Sequence, residues 1–256
     1  MLREDIQFIT AKLKALDLWD QLQGKRILMT GGTGFIGRWF DIPGLDILRV
    51  GTRDYSCALK GEYDYIIHAA PCLPDAVVEN VYCKDTKVML ISSGAVYDDP
   101  ETELAKEKKY IEEYLTDLID DCVIARVFSV AGYGARPGRF ALDTFIRQGM
   151  TGGPITPVDN GSLRAYVYGS DLAVWLLYLL VNETGIHDVC GHHMISIRGL
   201  AYRIASIFGV DVQIIQDDRQ DPRPVYTSSS KKAFYMRDRK IKHVLKRTIM
   251  EYKDNA

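Results

Sequence analysis

The sequence predicts an α/β protein, a doubly wound parallel sheet, and three observations carry that expectation. Short apolar runs recur between Arg26 and Phe128, separated by stretches of helical spacing or turn chemistry. A glycine cluster, Gly31-Gly32-Thr33-Gly34-Phe35-Ile36-Gly37, directly follows the first run. The 256 residues are 47% apolar and 26% charged, enough for a sizeable core in one large domain, or in a domain with an added lobe. Strands that alternate with helices pair in parallel through right-handed crossovers.

The elements follow in order. Ile6, Ile9, Leu13 and Leu16 share a helical face, so an amphipathic helix precedes the first strand. Arg26–Thr30 reads as a short buried strand, and Phe35 to Phe40 as the start of a helix that Asp41-Ile42-Pro43-Gly44 stops early. Further strands are expected at about Asp46–Val50, Tyr63–His68, Lys87–Ile91 and Cys122–Phe128. Residues 102–115 form a helix, with Asp98 and Asp99 expected to cap it around Pro100. Beyond residue 130 the chain is richer in loops. Helices are expected at Leu142–Met150, at 172–181 with Asp171 as N-cap, and at Leu200–Phe208. Gly152-Gly153-Pro154 and Asp159-Asn160-Gly161 mark turns. In the tail, Ile241, Val244, Leu245, Ile249 and Tyr252 form one helical face, and the Lys and Arg run beside them reads as a solvated face.

Composition narrows the partners. A net charge of −2 offers no electrostatic reason to expect nucleic acid or a membrane. The apolar run Leu172 to Val181 is about half a bilayer span and reads as a buried helix. Cys57, Cys72, Cys83, Cys122 and Cys190 are scattered, odd in number and without a Cys-x-x-Cys pair. That pattern suits a reducing compartment, so a cytoplasmic protein with no disulfide framework or zinc site is expected. The charged start, Met1 to Asp5, does not resemble a signal peptide. Adjacent His192 and His193 diverge, so no metal site is expected there, and Asp120-Asp121 read as solvated turn residues.

The glycine cluster carries the first functional expectation. A pyrophosphate is anionic and needs close backbone approach, which glycines between a strand and a helix permit. Gly31 would make the tight turn, Gly34 would leave room for the phosphates, and Gly37 would let the helix pack near the strand. Free N–H groups at the helix start would favour the anion. This is the Rossmann pattern; the alternative is a purely structural glycine turn.

Thr30 to Gly37, His68-Ala69-Ala70 and Ser92-Ser93-Gly94-Ala95-Val96-Tyr97 occur in that order. Together they resemble the extended short-chain dehydrogenase/reductase family, of the NAD-dependent nucleotide-sugar epimerase/dehydratase type. Ile124 to Gly132 resembles the strand after the family's catalytic helix, and Arg164 to Ala173 its Arg-x-(aromatic)-x-x-Val-x-Asp-x-Ala segment. Val189-Cys190-Gly191, Ser196-Ile197 and Leu200-Ala201 extend the likeness over most of residues 25–235. The helical spacing gives an N-terminal helix within 1–24, and the resemblance implies a dinucleotide core over 25–130 that draws in elements of 165–195, and a small C-terminal substrate lobe within 131–256. It implies NAD or NADP held by Gly31, Thr33, Gly34, Phe35, Ile36 and Gly37, with His68, Ala69, Ala70 and Lys108 beside it. It implies a UDP-, dTDP-, GDP- or CDP-linked sugar on Ser93, Ser129 and Arg164, and a homodimer by family habit. Ser93 and Lys108 match the family's serine and lysine, and Glu112 the glutamate that often follows the lysine. Arg136 and Arg139 could face a phosphate or simply solvent.

Two departures stand out. The family's tyrosine, four residues before the lysine, is Leu104 here, and no Tyr-x-x-x-Lys occurs between Ser93 and Arg126. Some other group would replace it, with Tyr97 and Tyr110 as candidates. Only 31 positions separate Gly37 from His68. If Leu48–Asp54 holds the second strand, Thr52-Arg53 stand where an acidic residue would hold the NAD ribose, which favours NADP. If it is the third strand, that ribose element is missing. Two functions follow: an epimerase/dehydratase-like oxidoreductase, or a non-catalytic relative that binds a dinucleotide or nucleotide sugar as sensor, scaffold or inhibitor.

Overall fold

Four of the five residues of β1 (Arg26–Thr30) are buried, as a strand covered on both faces requires. In the computed structural model, which describes residues 2–51, 61–70, 85–98, 102–216, 224–228 and 239–255, β1 lies inside a six-stranded sheet. Its neighbours are β2 (Asp46–Val50) and β3 (Tyr65–His68), followed by β4 (Lys87–Ser93), β5 (Val123–Val127) and β9 (Gly185–Val189). The order β2-β1-β3-β4-β5-β9 is parallel throughout. The first five strands have the doubly wound order 2-1-3-4-5, whose switch point lies between β1 and β3. The sheet thus resolves one open question: Asp46–Val50 is the second strand, with Val50 opposite Thr30. Thr52 and Arg53 lie outside the described residues.

Period-2 alternation sends strand side chains to two cores. Met29, Ile67, Met89 and Ala125 face the larger one, with α1 (Arg3–Ala15) and the apolar helix α5 (Gly169–Asn182). Leu28, Ile66, Leu90 and Ile124 face Ile111 and Leu115 of α3 (Glu103–Leu118). Between them lie the short helix α2 (Trp19–Leu22), β6 (Ser129–Ala131), α4 (Ala141–Met150) and β7 (Val158–Asp159). A second sheet centres on β8 (Leu163–Tyr168), flanked by β10 (Met194–Ser196) and β12 (Val225–Tyr226), and β6 also pairs with β8. Helix α6 (Ile197–Phe208), the short strand β11 (Ile215–Gln216) and the tail helix α7 (Ile241–Asp254) complete the described elements. Among the described residues, no helix is long and apolar enough to cross a membrane.

Three local expectations need correction. The segment after the glycines is not an α-helix but one 3-10 turn, Gly37–Phe40. Trp39 and Phe40 are already buried there, and Trp39 packs edge-on against Tyr168 at 5.2 Å, so the chain turns away into Pro43 and Gly44. The indole lies so close to Gly169 that any Cβ there would overlap it. The cap of α3 is Thr102, whose Oγ1 accepts from the Ala105 N–H at 3.2 Å; Asp98 only steadies it by accepting from that hydroxyl at 2.8 Å, and Asp99 lies outside the described residues. Asp171 does not cap α5, which begins at Gly169 with Tyr168 as N-cap. It sits buried in the first turn, 3.3 Å from the Arg239 guanidinium.

The tail helix buries Val244, Leu245, Ile249 and Tyr252, as its periodicity requires. Its basic face is only partly solvated, because Arg247 folds back onto α1. Its Nε and Nη2 donate to the fully buried Asp5 at 3.0 and 2.6 Å, and Nη1 donates to Glu4 at 2.8 Å. Arg247→Ala is expected to cost about 2 kcal/mol, since the Tyr168 hydroxyl still donates to Asp5 at 3.1 Å. Urea unfolding checks this, and a change below about 0.5 kcal/mol, the scale of an ordinary surface substitution, would mean that the clasp is solvent-screened.

Candidate dinucleotide and sugar site

The strand ends that define the switch point are joined by backbone contacts. Gly31 takes φ +67°, and a Cβ on it would lie 2.7 Å from the Ala69 carbonyl carbon and oxygen and 2.8 Å from the Ala70 nitrogen. Beneath this contact Thr30 Oγ1 and His68 Nδ1 share a 2.9 Å hydrogen bond, both fully buried. His68 is therefore a packed strand-end residue that locks β3 to β1. Ala69 and Ala70 follow as the wall facing the glycine loop.

The outer side of the loop is open. Thr33 and Gly34 are exposed, and a Cβ on Gly34 would meet only the Gly31 carbonyl oxygen, at 3.1 Å. The Gly34 N–H donates to that carbonyl and the Arg38 N–H to the Gly34 carbonyl, which closes the turn. The N–H groups of Phe35 and Ile36 donate to no backbone carbonyl among the described residues. A phosphate can approach the backbone at Gly34 and find donors at 35 and 36, so the residues present fit a dinucleotide. The single 3-10 turn that follows supplies only a fraction of the dipole an α-helix would add.

One strand further on, β4 ends in Ser92 and Ser93, whose side chains take opposite faces. Ser93 caps the 3-10 turn Gly94–Tyr97 by accepting from the Ala95 N–H, and its Oγ lies 3.2 Å from the Tyr226 hydroxyl of β12. Ser92 Oγ donates to Glu112 Oε1 at 2.5 Å. Glu112, buried on α3, receives Nε of Arg126 at 3.1 Å and Nη2 at 2.6 Å. Arg126 Nη1 donates to the Tyr97 hydroxyl at 2.7 Å, and that hydroxyl donates to Asp188 Oδ1 at 3.0 Å. Ser228 donates to the other Asp188 oxygen at 2.5 Å. Burial works against the Arg126 charge, but Glu112 and Tyr97 outweigh it and hold the guanidinium above its ordinary pKa. Burial raises the Tyr97 phenol, with the Asp188 charge adding and Arg126 opposing, so Tyr97 stays protonated. Its proton and one lone pair are both committed to this network.

The other candidates fall around this frame. Lys108 is half-buried one turn before Glu112 on the same helix, and Leu104 is half-buried another turn back. Arg164 of β8 donates to its neighbour's carbonyl, Leu163, at 2.8 Å, and its guanidinium lies 5.7 Å from the Tyr226 ring centroid. Ser129 is partly buried at the start of β6, opposite Tyr166. Tyr110 is exposed on α3, Arg136 and Arg139 are exposed, and so are His192 and His193. The structure thus brings Ser93 to Tyr226, whose ring lies beside Arg164, and links Tyr97, Arg126, Glu112 and Asp188 in one network. Sequence reasoning missed Asp188, Tyr226 and Ser228 and gave Arg126 no role. Only Arg126 carried a local signal, as a charge inside the apolar strand Val123–Val127.

A parallel sheet with a glycine loop closing its switch point, and a polar cluster at the next strand end, defines a Rossmann-type α/β protein. No family model and no curated protein matches the sequence. Solved structures share the fold. An epimerase from the methanogen Methanothermobacter thermautotrophicus superposes with a TM-score of 0.76 at 18% identity, covering 93% of this chain and 95% of its own. A UDP-N-acetylglucosamine 4-epimerase from Methanobrevibacter ruminantium gives 0.70 at 19% identity, over 91% and 99%. The Bordetella bronchiseptica enzyme WbmF, in complex with NAD+ and UDP, gives 0.72 at 19% identity, over 92% and 94%. At these identities the fold is what is shared.

Proposed function

We propose that the chain is an NAD(P)-dependent oxidoreductase of the nucleotide-sugar epimerase/dehydratase type. The observation that carries this is the switch point: an open Gly34 with the Phe35 and Ile36 N–H groups available, one strand away from Ser93. The neighbours of like fold add support, since WbmF is described with NAD+ and UDP, and the Methanobrevibacter ruminantium enzyme with UDP-N-acetylmuramic acid. Gly31, Thr33, Gly34, Phe35, Ile36 and Gly37 hold the pyrophosphate, with Ala69 and Ala70 as the facing wall and the buried His68 fixing the strand end behind them. A bound NAD(P) would supply hydride transfer at a sugar carbon. Ser93 orients the hydroxyl on that carbon. Lys108 lies one turn along α3 from Glu112 and serves the cofactor ribose. Arg164 presents its guanidinium fork, which suits phosphate oxygens, to the diphosphate of a nucleotide sugar. Ser129 lines the sugar side, and Arg53 distinguishes NADP from NAD.

Thermal unfolding with NAD, NADP, UDP, UDP-glucose and dTDP-glucose tests this. A ligand that binds only the folded chain stabilises it by about 2.7 kcal/mol at 100 times its Kd. A shift with either dinucleotide is expected, and the better of the two decides the role of Arg53. No shift with NAD or NADP would sink the proposal and leave the glycine loop as a structural turn. A dinucleotide shift without turnover on any sugar would leave a binding protein.

A further inference from the structure

Leu104 stands where the resemblance puts the proton-handling tyrosine, yet a phenol reaches Ser93 from elsewhere. The Tyr226 hydroxyl lies 3.2 Å from Ser93 Oγ, across 133 positions of sequence. Resting on the function proposed above, we infer that Tyr226 exchanges the proton of the reacting sugar hydroxyl, entering from the C-terminal lobe instead of from α3.

The phenol is held in place from three sides. β12 pairs with β8 so that Tyr226 is opposite Arg164. The Tyr226 ring packs on Phe128 at 5.0 Å. Phe128 in turn lies on Gly94, where a Cβ would come within 2.5 Å of its ring, so the support rests on the turn that Ser93 caps. The Arg164 guanidinium, 5.7 Å from the ring centroid, puts a positive charge beside the phenol, and a nearby cation favours the phenolate. The competing phenols are poorly suited. Tyr97 is committed to Arg126 and Asp188, and Tyr110 is exposed on α3.

Ser93 Oγ already accepts from the Ala95 N–H, so its own proton is free to point at a sugar oxygen. A hydroxyl that takes the place of the Ser93–Tyr226 bond lies within reach of both groups. Ser93 then donates to the hydroxyl oxygen, and the Tyr226 phenolate takes the hydroxyl proton while the hydride on the same carbon would pass to the oxidised dinucleotide of the proposed function, leaving a carbonyl. The proton returns to oxygen when the carbonyl is reduced. General acid–base assistance of this kind is worth roughly 100-fold to 10,000-fold in rate.

The first test needs no turnover. In protein labelled with [13Cζ]tyrosine, the resonance absent from Tyr226→Phe identifies the phenol, and its pH titration is followed by NMR. It is expected to titrate below the ordinary phenol value of about 10, and to move back up in Arg164→Gln. Titration at or above the ordinary value overturns the inference. The second test uses NAD with UDP-glucose and UDP-N-acetylglucosamine as probes. Tyr226→Phe is expected to lower kcat at least about 100-fold while keeping the dinucleotide-induced thermal shift. Adding Leu104→Tyr to Tyr226→Phe is expected to regain part of the loss. A Tyr226→Phe protein that turns over like the wild type overturns the inference but leaves the enzyme standing. A wild type without a dinucleotide shift overturns the proposed function itself.

Discussion

Glu112→Ala is expected to destabilise the protein by about 3–5 kcal/mol, the range for removing one partner of a buried ion pair. Glu112 receives three hydrogen bonds from the Arg126 fork, Nε reaching both oxygens and Nη2 one, and another from Ser92, and its side chain is 6% exposed. Arg126 is 17% exposed, so solvent cannot replace the carboxylate fully. Without it, the guanidinium keeps, among the described residues, only the Tyr97 hydroxyl, itself shared with Asp188. Denaturant unfolding reads the cost. Glu112→Gln should lose less, because an amide oxygen still accepts from Ser92 or Arg126. Pairing Glu112→Ala with Arg126→Met should recover much of the loss, since it removes the stranded charge. A single-variant cost under about 1 kcal/mol would place the pair among surface ion pairs and remove this network as a support of the site.

The second large effect separates folding from binding within one loop. Gly31→Ala puts a Cβ at φ +67°, 2.7 Å from the backbone of Ala69, and neither strand end can retreat without breaking the sheet. Left-handed backbone costs roughly 1–2 kcal/mol and overpacking roughly 1–3, so a loss of about 2–4 kcal/mol is expected. Gly34→Ala meets only the Gly31 carbonyl oxygen at 3.1 Å and should change the unfolding temperature of the free protein little. In the proposed function, however, its methyl would occupy the side from which the phosphates approach. The stabilisation by NAD or NADP should therefore fall at least about tenfold in apparent affinity, or about 1.4 kcal/mol. Differential scanning fluorimetry of the two variants with and without dinucleotide is the check. If Gly34→Ala keeps the full ligand shift, the pyrophosphate does not lie against Gly34.

What the chain determines by itself is local and steric. Apolar runs with turn residues between them specify β1, β3, β4 and β5, because a strand covered on both faces needs mostly apolar residues; in the edge strand β2 only Val50 is buried. The glycines announce a tight turn with an open backbone, and the spacing of Ile111 and Leu115 orients α3 whatever it packs against. Tertiary structure decided the rest. Asp171 carries the same side chain whether it caps a helix or pairs with Arg239, 68 positions away, and nothing nearby distinguishes the two. The helix after the glycines shrinks to one turn because Trp39 meets Tyr168 and Gly169, contacts that exist only once β8 and α5 have docked. The polar clusters have the same origin. Asp188 faces Arg126 because β9 joins the sheet beside β5, and Tyr226 meets Ser93 because β12 pairs with β8. Side chains so far apart leave no periodic trace in the sequence. Their meeting is set by strand order and register, which depend on the packing of the whole domain.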